Sequence, residues 1–388
     1  MRLGNFGMNK LFGEAYKDKK VLITGHTGFK GSWLALWLVK MGAKVIGYSL
    51  KPPANPNHYD LLTLKEKINS IIGNIKDSKK LNEVFNKYQP DIVFHLAAQP
   101  LVRYSYINPI ETYETNVLGT LKVFEASRNA QSVKVIINIT SDKCYENKEW
   151  IWGYRENDAL GGYDLYSSSK ACSELLTDSY RNSFLNINSY KKNHDILLAS
   201  CRAGNVIGGG DWAKDRLIAD AMIAASKSKK TLIRNPDAVR PWQHVLEPLS
   251  GYLLLGQKLL EGRKEFAEAW NFGPDNNSAI TVKEVVDNLK QYWNKINYKI
   301  LKEVSDKNED KIKDKNQNKD FHEAAFLKLD CSKVHLLLEW KQVWNINETF
   351  KNTVDWYKSF YENNLIKTED DLMLYINDAE DKKLSWAK

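Results

Sequence analysis

One short stretch constrains the fold more than any other. Gly25-His26-Thr27-Gly28-Phe29-Lys30-Gly31 lies between the apolar run Lys20–Thr24 and a segment, Ser32–Met41, in which Trp33 and Trp37 share a face with Leu34, Leu38 and Met41 beside them. The run reads as a buried strand and the segment, by its spacing, as a helix. Three glycines let the chain turn sharply and bring its backbone against phosphate oxygens, while the helix N-terminus supplies free N–H groups and a partial positive charge. Gly42 is placed to end that helix.

The rest of the first half repeats the alternation. Lys44–Tyr48, Asp91–Leu96, Lys134–Thr140 and Ile196–Cys201 read as strands. They are continuously apolar rather than alternating, which predicts a sheet covered on both faces. Helical segments Ser78–Tyr88, Pro109–Asn129 and Tyr166–Asn182 fall between them. Strand–helix alternation predicts an α/β fold with a doubly wound parallel (Rossmann) sheet. After Asn205 the pattern loosens into glycine, charge and short helices, and Val245–Leu260 reads as a helix that returns to the sheet. The expected organisation is a dinucleotide-binding domain over 1–205, rejoined by 240–275, a smaller substrate-binding part over 206–365, and a C-terminal tail over 366–388.

The chain has 388 residues and a formal net charge of +8. Much of the excess lies in Lys302–Lys319, where Lys, Asp, Glu and Asn alternate. Mixed charge without apolar residues cannot build a core and reads as a solvated loop, not as the one-sided basic patch a nucleic-acid binder needs. A mildly basic protein favours anionic substrates. Cys144, Cys172, Cys201 and Cys331 form no CxxC pair, so neither a zinc site nor a disulfide framework is expected. The longest apolar stretch near the start, Leu34–Val39, is too short to span a bilayer. With no secretory leader read at the N-terminus, the expected compartment is the cytoplasm.

The chemistry is carried by a second constellation. Tyr166 and Lys170 are four apart on a predicted helix, which puts both on one face. An ammonium beside a phenol is expected to lower the phenol's pKa, so that it can take a proton from a hydroxyl. Ser141 stands at the end of a predicted strand, followed by an acid and a base, Asp142 and Lys143. The second strand ends in Tyr48-Ser49-Leu50-Lys51, without the acidic residue that commonly binds the ribose hydroxyls of NAD, and this leaves NAD and NADP both open on the residues alone.

The GxxGxxG spacing, strand-end Ser141 and the Tyr166/Lys170 pair resemble the extended short-chain dehydrogenase family of nucleotide-sugar epimerases and dehydratases. The Asp142-Lys143 pair resembles its 4,6-dehydratases, and specifically the branch that acts on CDP-glucose, since the dTDP-glucose branch usually carries Asp-Glu. Residues 25–34, His95–Arg103, Ser141–Glu146, Arg202–Trp212, Arg240–Val245, Trp270–Pro274, His322–Ala324 and Leu327–Asp330 continue the likeness, which covers roughly residues 18 to 362. It implies NAD as an internally recycled cofactor, favoured because the implied reaction regenerates it. The cofactor would be held by Gly25, Thr27, Gly28, Phe29, Lys30 and Gly31, by Asn74 and Ile75 near the adenine, by Leu96, Ala97 and Ala98, and by Tyr166 and Lys170. Asn74 replaces an Asp frequent in the family. Asn116 resembles a structural asparagine that ties the active-site helix to the sheet, with a further contact to the cofactor.

For the substrate, CDP-glucose, the resemblance points to Gln99, Arg103, Asn205, Arg216, Arg240 and His322. It implies that Tyr166 deprotonates the sugar 4-hydroxyl, that hydride leaves carbon 4, that Asp142 protonates the departing 6-hydroxyl, and that hydride returns at carbon 6. Lys143 takes the carbon 5 proton if it stands neutral, and otherwise holds the departing oxygen or the enolate. The family also implies a homodimer or higher homo-oligomer built on Pro109–Asn129 and Tyr166–Asn182. An epimerase or decarboxylating enzyme on the same fold, a non-catalytic NAD-binding regulator and a nucleic-acid binder are the competing readings; the first lacks a use for Asp142-Lys143.

Overall fold

The computed structural model describes residues 7–213, 215–274, 279–301 and 326–388. His322 and the Lys302–Lys319 stretch lie outside them. In chain order the strands are β1 (Lys20–Thr24), β2 (Lys44–Ser49), β3 (Asn69–Ile72), β4 (Ile92–His95), β5 (Val135–Ile139) and β6 (Leu197–Ala203), then the short β7 (Asn205–Ile207), β8 (Thr231–Ile233) and β9 (Val239–His244), then β10 (Ala269–Phe272), β11 (Ala279–Thr281) and β12 (Tyr298–Ile300). Seven of them form one parallel sheet in the order β10-β6-β5-β4-β1-β2-β3. The order reverses between β1 and β4, the switch point where open α/β sheets open a crevice beyond their strand ends.

Val, Leu and Ile fill β1, β4 and β5, whose buried side chains alternate between two clusters, one on each face of the sheet. Trp33 and Trp37 are core side chains with 0% exposure, as their spacing suggested, and Trp340 is buried to the same degree. The Leu246–Leu260 helix is buried along nearly its whole length and packs on the sheet. A third cluster, around Trp212, Trp242, Trp293 and Trp356, belongs to the smaller part beyond β6. There β11-β9-β7 form a three-stranded sheet and β12-β8 a two-stranded one.

Three elements differ from the sequence reading. The first helix runs Phe29–Lys40 rather than from Ser32, because Gly28 takes the cap position and puts Lys30 and Gly31 in the first turn. The Pro109–Asn129 segment is not one regular helix: Pro109–Tyr113 and Thr120–Asn129 flank a π-helical stretch, Glu114–Gly119, that includes the buried Asn116. Such π turns recur at functional sites. The chain beyond 366 forms a helix, Thr368–Asp381, and a final turn, Ser385–Ala387. Trp386, 1% exposed, stacks on Phe12 at 5.1 Å and meets Trp37 edge-on at 5.8 Å. Phe12 and Trp386 thus close together over Trp37 of the first helix.

Candidate active site

A cavity of about 580 Å³ opens beyond the C-terminal ends of β1, β4 and β5. At one end lies the glycine turn. Gly25 has φ +80°, and a side chain there would meet the Ala97 backbone nitrogen at 2.8 Å. A Cβ on Gly31 would stand 2.1 Å from the Gly25 carbonyl oxygen. The turn is therefore closed to side chains and leaves bare backbone facing the cavity at a helix N-terminus. This fits the pyrophosphate of a dinucleotide. Lys30, half-buried beside it, is lowered to about 8 by desolvation, with repulsion from Arg216 and Lys170.

Ser49 at the end of β2, Leu50 and Lys51 after it, and Asn74 and Ile75 after β3, line the far end of the same cavity. The Thr27 hydroxyl pairs with Ser49 Oγ and with the Leu50 carbonyl, both at 2.9 Å. The acidic lining residues Glu111, Asp142, Asp164, Asp211 and Asp215 come from other elements. The ribose end is thus built of hydroxyls and backbone where many NAD sites have a carboxylate. Leu96, Ala97 and Ala98 form the wall at the end of β4.

Asp164 caps the Leu165–Ser183 helix, accepting from Ser167 N at 2.9 Å, and so fixes the turn that presents Tyr166 and Lys170. Both are buried in the cavity wall, as are Ser141 and Asp142. Ser141 ends the β5 run and caps a single 3₁₀ turn, Asp142–Cys144. Its Oγ accepts from Lys143 N at 3.2 Å and donates to Asp142 Oδ1 at 2.9 Å. Burial pushes the Asp142 carboxyl up, against the pull of Lys143, the Ser141 hydroxyl, Arg240 and Lys30. That is the direction a proton donor needs.

The Tyr166 phenol departs from expectation. Burial drives it up to about 12, and the Ser141 hydroxyl and Arg216 are what pull it back. Lys170 is itself lowered to about 8 by burial, with Glu174 pulling it up, and its Nζ donates to the Ile139 carbonyl at 3.4 Å. In a dry wall the desolvation of both groups outweighs the attraction that their spacing alone suggests.

Of the residues expected to hold substrate, Arg103, Asn205, Arg216 and Arg240 line the cavity on the side of the smaller part. Arg103 Nη1 stands 4.0 Å from Asp215 Oδ1, and Arg216 immediately precedes the Leu217–Ser226 helix without a side-chain capping bond. Gln99 does not line the cavity. Its amide donates to the Leu101 carbonyl at 3.1 Å and to Thr112 Oγ1 at 3.0 Å, so it braces its own loop. Asn116 is likewise buried behind the wall. It donates to the Gln99 carbonyl at 3.1 Å and to Ser169 Oγ at 2.9 Å, and accepts from Gln99 N at 2.8 Å. It ties the β4 loop to the Tyr166 helix without facing the cavity.

The sequence reading missed His58 and Glu174. His58 lines the cavity and links Ser32 Oγ to Thr368 Oγ1, both at 2.8 Å, joining the phosphate helix to the C-terminal helix. No local pattern announces it. Glu174 does have a signal, as a carboxylate one turn beyond Lys170 on the face that must be buried.

The chain matches the GDP-mannose 4,6 dehydratase family model over residues 22–353. It is 48% identical over 345 residues to the CDP-glucose 4,6-dehydratase of Salmonella typhimurium, covering 89% of this chain and 92% of that protein. A probable dTDP-glucose 4,6-dehydratase of Sinorhizobium fredii is 23% identical over 87% of this chain and 92% of its own. Among solved structures, the dTDP-glucose 4,6-dehydratase of Bacillus anthracis in complex with NAD aligns with a TM-score of 0.69 at 20% identity, covering 89% of this chain and 98% of that one. The UDP-glucose 4-epimerase of Thermotoga maritima with UDP-glucose gives 0.70 at 20% identity, over 88% and 99%. The two structures share the fold. On the breadth of the model match and on the near relative, the chain belongs to the GDP-mannose 4,6 dehydratase family.

Proposed function

We propose that the protein is a CDP-glucose 4,6-dehydratase that converts CDP-glucose to CDP-4-keto-6-deoxyglucose and water with NAD as a retained cofactor. The observation that carries this is the Asp142-Lys143 pair, held on one turn next to Ser141 and facing the same cavity as Tyr166 and Lys170. An epimerase moves a proton and a hydride at carbon 4 and has no use for a second acid and base. A dehydratase must also remove the carbon 5 proton and protonate a leaving hydroxyl. The 48% identity to a CDP-glucose 4,6-dehydratase supports the choice of nucleotide.

Gly25–Gly31 and the Asn74–Ile75 end would hold NAD, which when bound would supply the hydride acceptor for carbon 4 and the donor for carbon 6. Tyr166 takes the proton of the 4-hydroxyl, whose oxygen Ser141 hydrogen-bonds. Lys170 steadies the charge on the phenol. The ketone then acidifies the hydrogen on carbon 5, which Lys143 removes while Asp142 donates to the 6-hydroxyl as it leaves; once hydride is returned to carbon 6, Lys143 gives the proton back to carbon 5. Arg103, Arg216 and Arg240 face the cavity where a diphosphate of the substrate needs planar donors, and Asn205 adds a neutral contact on the same side.

The protein would work as a homo-oligomer. Ile110 and Leu118 on the Pro109–Asn129 segment and Leu175 on the Leu165–Ser183 helix are 75%, 49% and 57% exposed, large apolar side chains on the two elements expected to pair. No helix among the described residues is long and apolar enough to cross a membrane.

Incubation of the purified protein with CDP-glucose, without added reductant, tests the reading through the alkaline absorbance of a 4-keto-6-deoxy sugar. Product from CDP-glucose and not from dTDP-, UDP- or GDP-sugars is expected. A 4-epimer in its place, or product from another nucleotide alone, would overturn it.

A further inference from the structure

Two residues flank the turn that carries Ser141, Asp142 and Lys143: Thr140 before it and Tyr145 after it. Both side chains end on the same buried ion pair. Glu174 and Arg202, whose side chains are 1% and 3% exposed, meet at 2.8 Å. The Thr140 hydroxyl donates to Glu174 Oε1. Arg202 Nη1 donates to the Tyr145 hydroxyl at 2.7 Å, and its guanidinium lies 4.9 Å from the Tyr145 ring centre. Glu174 sits one turn beyond Lys170 on the helix that presents Tyr166, and Arg202 is on β6. Ser200 on β6 adds a hydroxyl to Glu174 Oε2 at 2.8 Å, and the Glu156 carbonyl accepts from Arg202 Nη1 at 2.9 Å. The Tyr145 hydroxyl passes the chain on to Asn271 Oδ1 at 2.7 Å, on β10.

We propose that the Glu174–Arg202 pair is a positioning device, which fixes the Ser141–Lys143 turn against the Tyr166/Lys170 helix by holding the turn at both of its ends. This rests on the dehydratase reading and deepens it. A buried pair is by itself weak evidence for stability, since an apolar replacement of like volume is often as stable. What it can set is register. The two halves of the site lie on different elements, the turn after β5 and the helix before β6. Proton transfer to the 4-hydroxyl needs the helix, and elimination across carbons 5 and 6 needs the turn. One ring of hydrogen bonds joins both, through Glu174 to the start of the turn and through Arg202 to its end. Thr140 and Tyr145 also border the cavity, but their hydroxyls are engaged with Glu174, Arg202 and Asn271, and the ring can act without touching a reacting atom because a small displacement of a catalytic group is enough to slow a reaction.

The test uses variants that cut the links and leave the pair intact: Thr140→Val, Tyr145→Phe and the double variant, with Glu174→Gln beside them as the disruptive case. In the double variant kcat for CDP-glucose is expected to fall on the order of tenfold to a hundredfold, with KM within about twofold of the wild type. Elimination should slow more than oxidation, so the near-ultraviolet absorbance of reduced nicotinamide should rise during turnover. Without substrate, the amides of Lys143, Cys144 and Tyr145 should exchange with deuterated water faster than in the wild type. An active wild type, with variants of unchanged kcat and unchanged amide exchange, overturns the positioning role alone. A wild type that makes no 4-keto sugar overturns the dehydratase reading, and the amide exchange then still decides whether the pair holds the turn.

Discussion

Asp142 and Lys143 are neighbours in sequence and differ in setting. Asp142 is buried and its carboxyl is raised, whereas Lys143, which lines the same cavity, is half-buried. Asp142→Asn keeps the shape and removes the proton. It is expected to lower kcat by about 10² to 10⁴, with reduced nicotinamide building up because oxidation at carbon 4 is spared; stopped-flow absorbance would show it. The sign of the pH dependence follows from the raised carboxyl. The donor is the protonated form, present below its folded pKa, so the elimination step should weaken as pH rises through that value. Gly31→Ala is a test of the cradle, since its Cβ would have to enter the space of the Gly25 carbonyl. The expected result is protein purified without retained NAD, read from the cofactor released on acid denaturation. The glycines, Ser141 and the Tyr166/Lys170 pair were legible because each is a local pattern with a chemical meaning. The Glu174–Arg202 ring was not, because its members come together only when the helix and β6 pack. Gln99 was misjudged for the same reason: sequence shows an amide near the strand end, and only the loop's own geometry shows that Thr112 and Leu101 use it.

At the scale of elements, the C-terminal helix is a fitted part of the core. Glu247, with 0% exposure, accepts from the backbone N–H of Val343 at 3.0 Å and of Trp344 at 2.7 Å and from the Tyr375 hydroxyl at 2.8 Å. Desolvation still raises it to about 7, and desolvation raises the buried Asp371 on the C-terminal helix to about 7. Folded carboxyls that hold their protons above the unfolded value stabilise fully below the ordinary carboxylate range and lose that contribution as pH rises through about 7. Thermal unfolding is therefore expected to shift downward between about pH 4.5 and about pH 7 and to level off above that, and Glu247→Gln should flatten that change. Trp386→Ala should cost about 3 to 5 kcal/mol in denaturant unfolding, the usual loss for a fully buried Trp. Neither the docked helix nor the two edge strands could be read in advance. β3 is Asn69-Ser70-Ile71-Ile72, an edge strand with Ile72 42% exposed, and it has no continuous apolar run. β10 is interrupted by Asn271, which is polar because it serves Tyr145, Tyr154 and Asp330. The central strands showed themselves because both of their faces are covered.

For the whole molecule, the parallel sheet places its switch point under the glycine turn and its β5 end under the catalytic turn, so the fold brings the cofactor end and the reacting end into one cavity. The smaller part closes the far side with Arg216 and Arg240. Ile110, Leu118 and Leu175 are large apolar side chains exposed on the two elements proposed to pair between subunits. If the protein assembles as proposed, Ile110→Glu with Leu175→Glu is expected to convert the homo-oligomer to a monomer in light scattering, with little change in the fold by circular dichroism.

The central claim, that one cavity performs both an oxidation and an elimination, is tested most directly by the fate of a single hydrogen. CDP-glucose deuterated at carbon 4 should give a 4-keto-6-deoxy product with the deuterium on carbon 6, retained through turnover and located by NMR. Deuterium returned to carbon 4 of an epimer, or lost to solvent, would contradict the account.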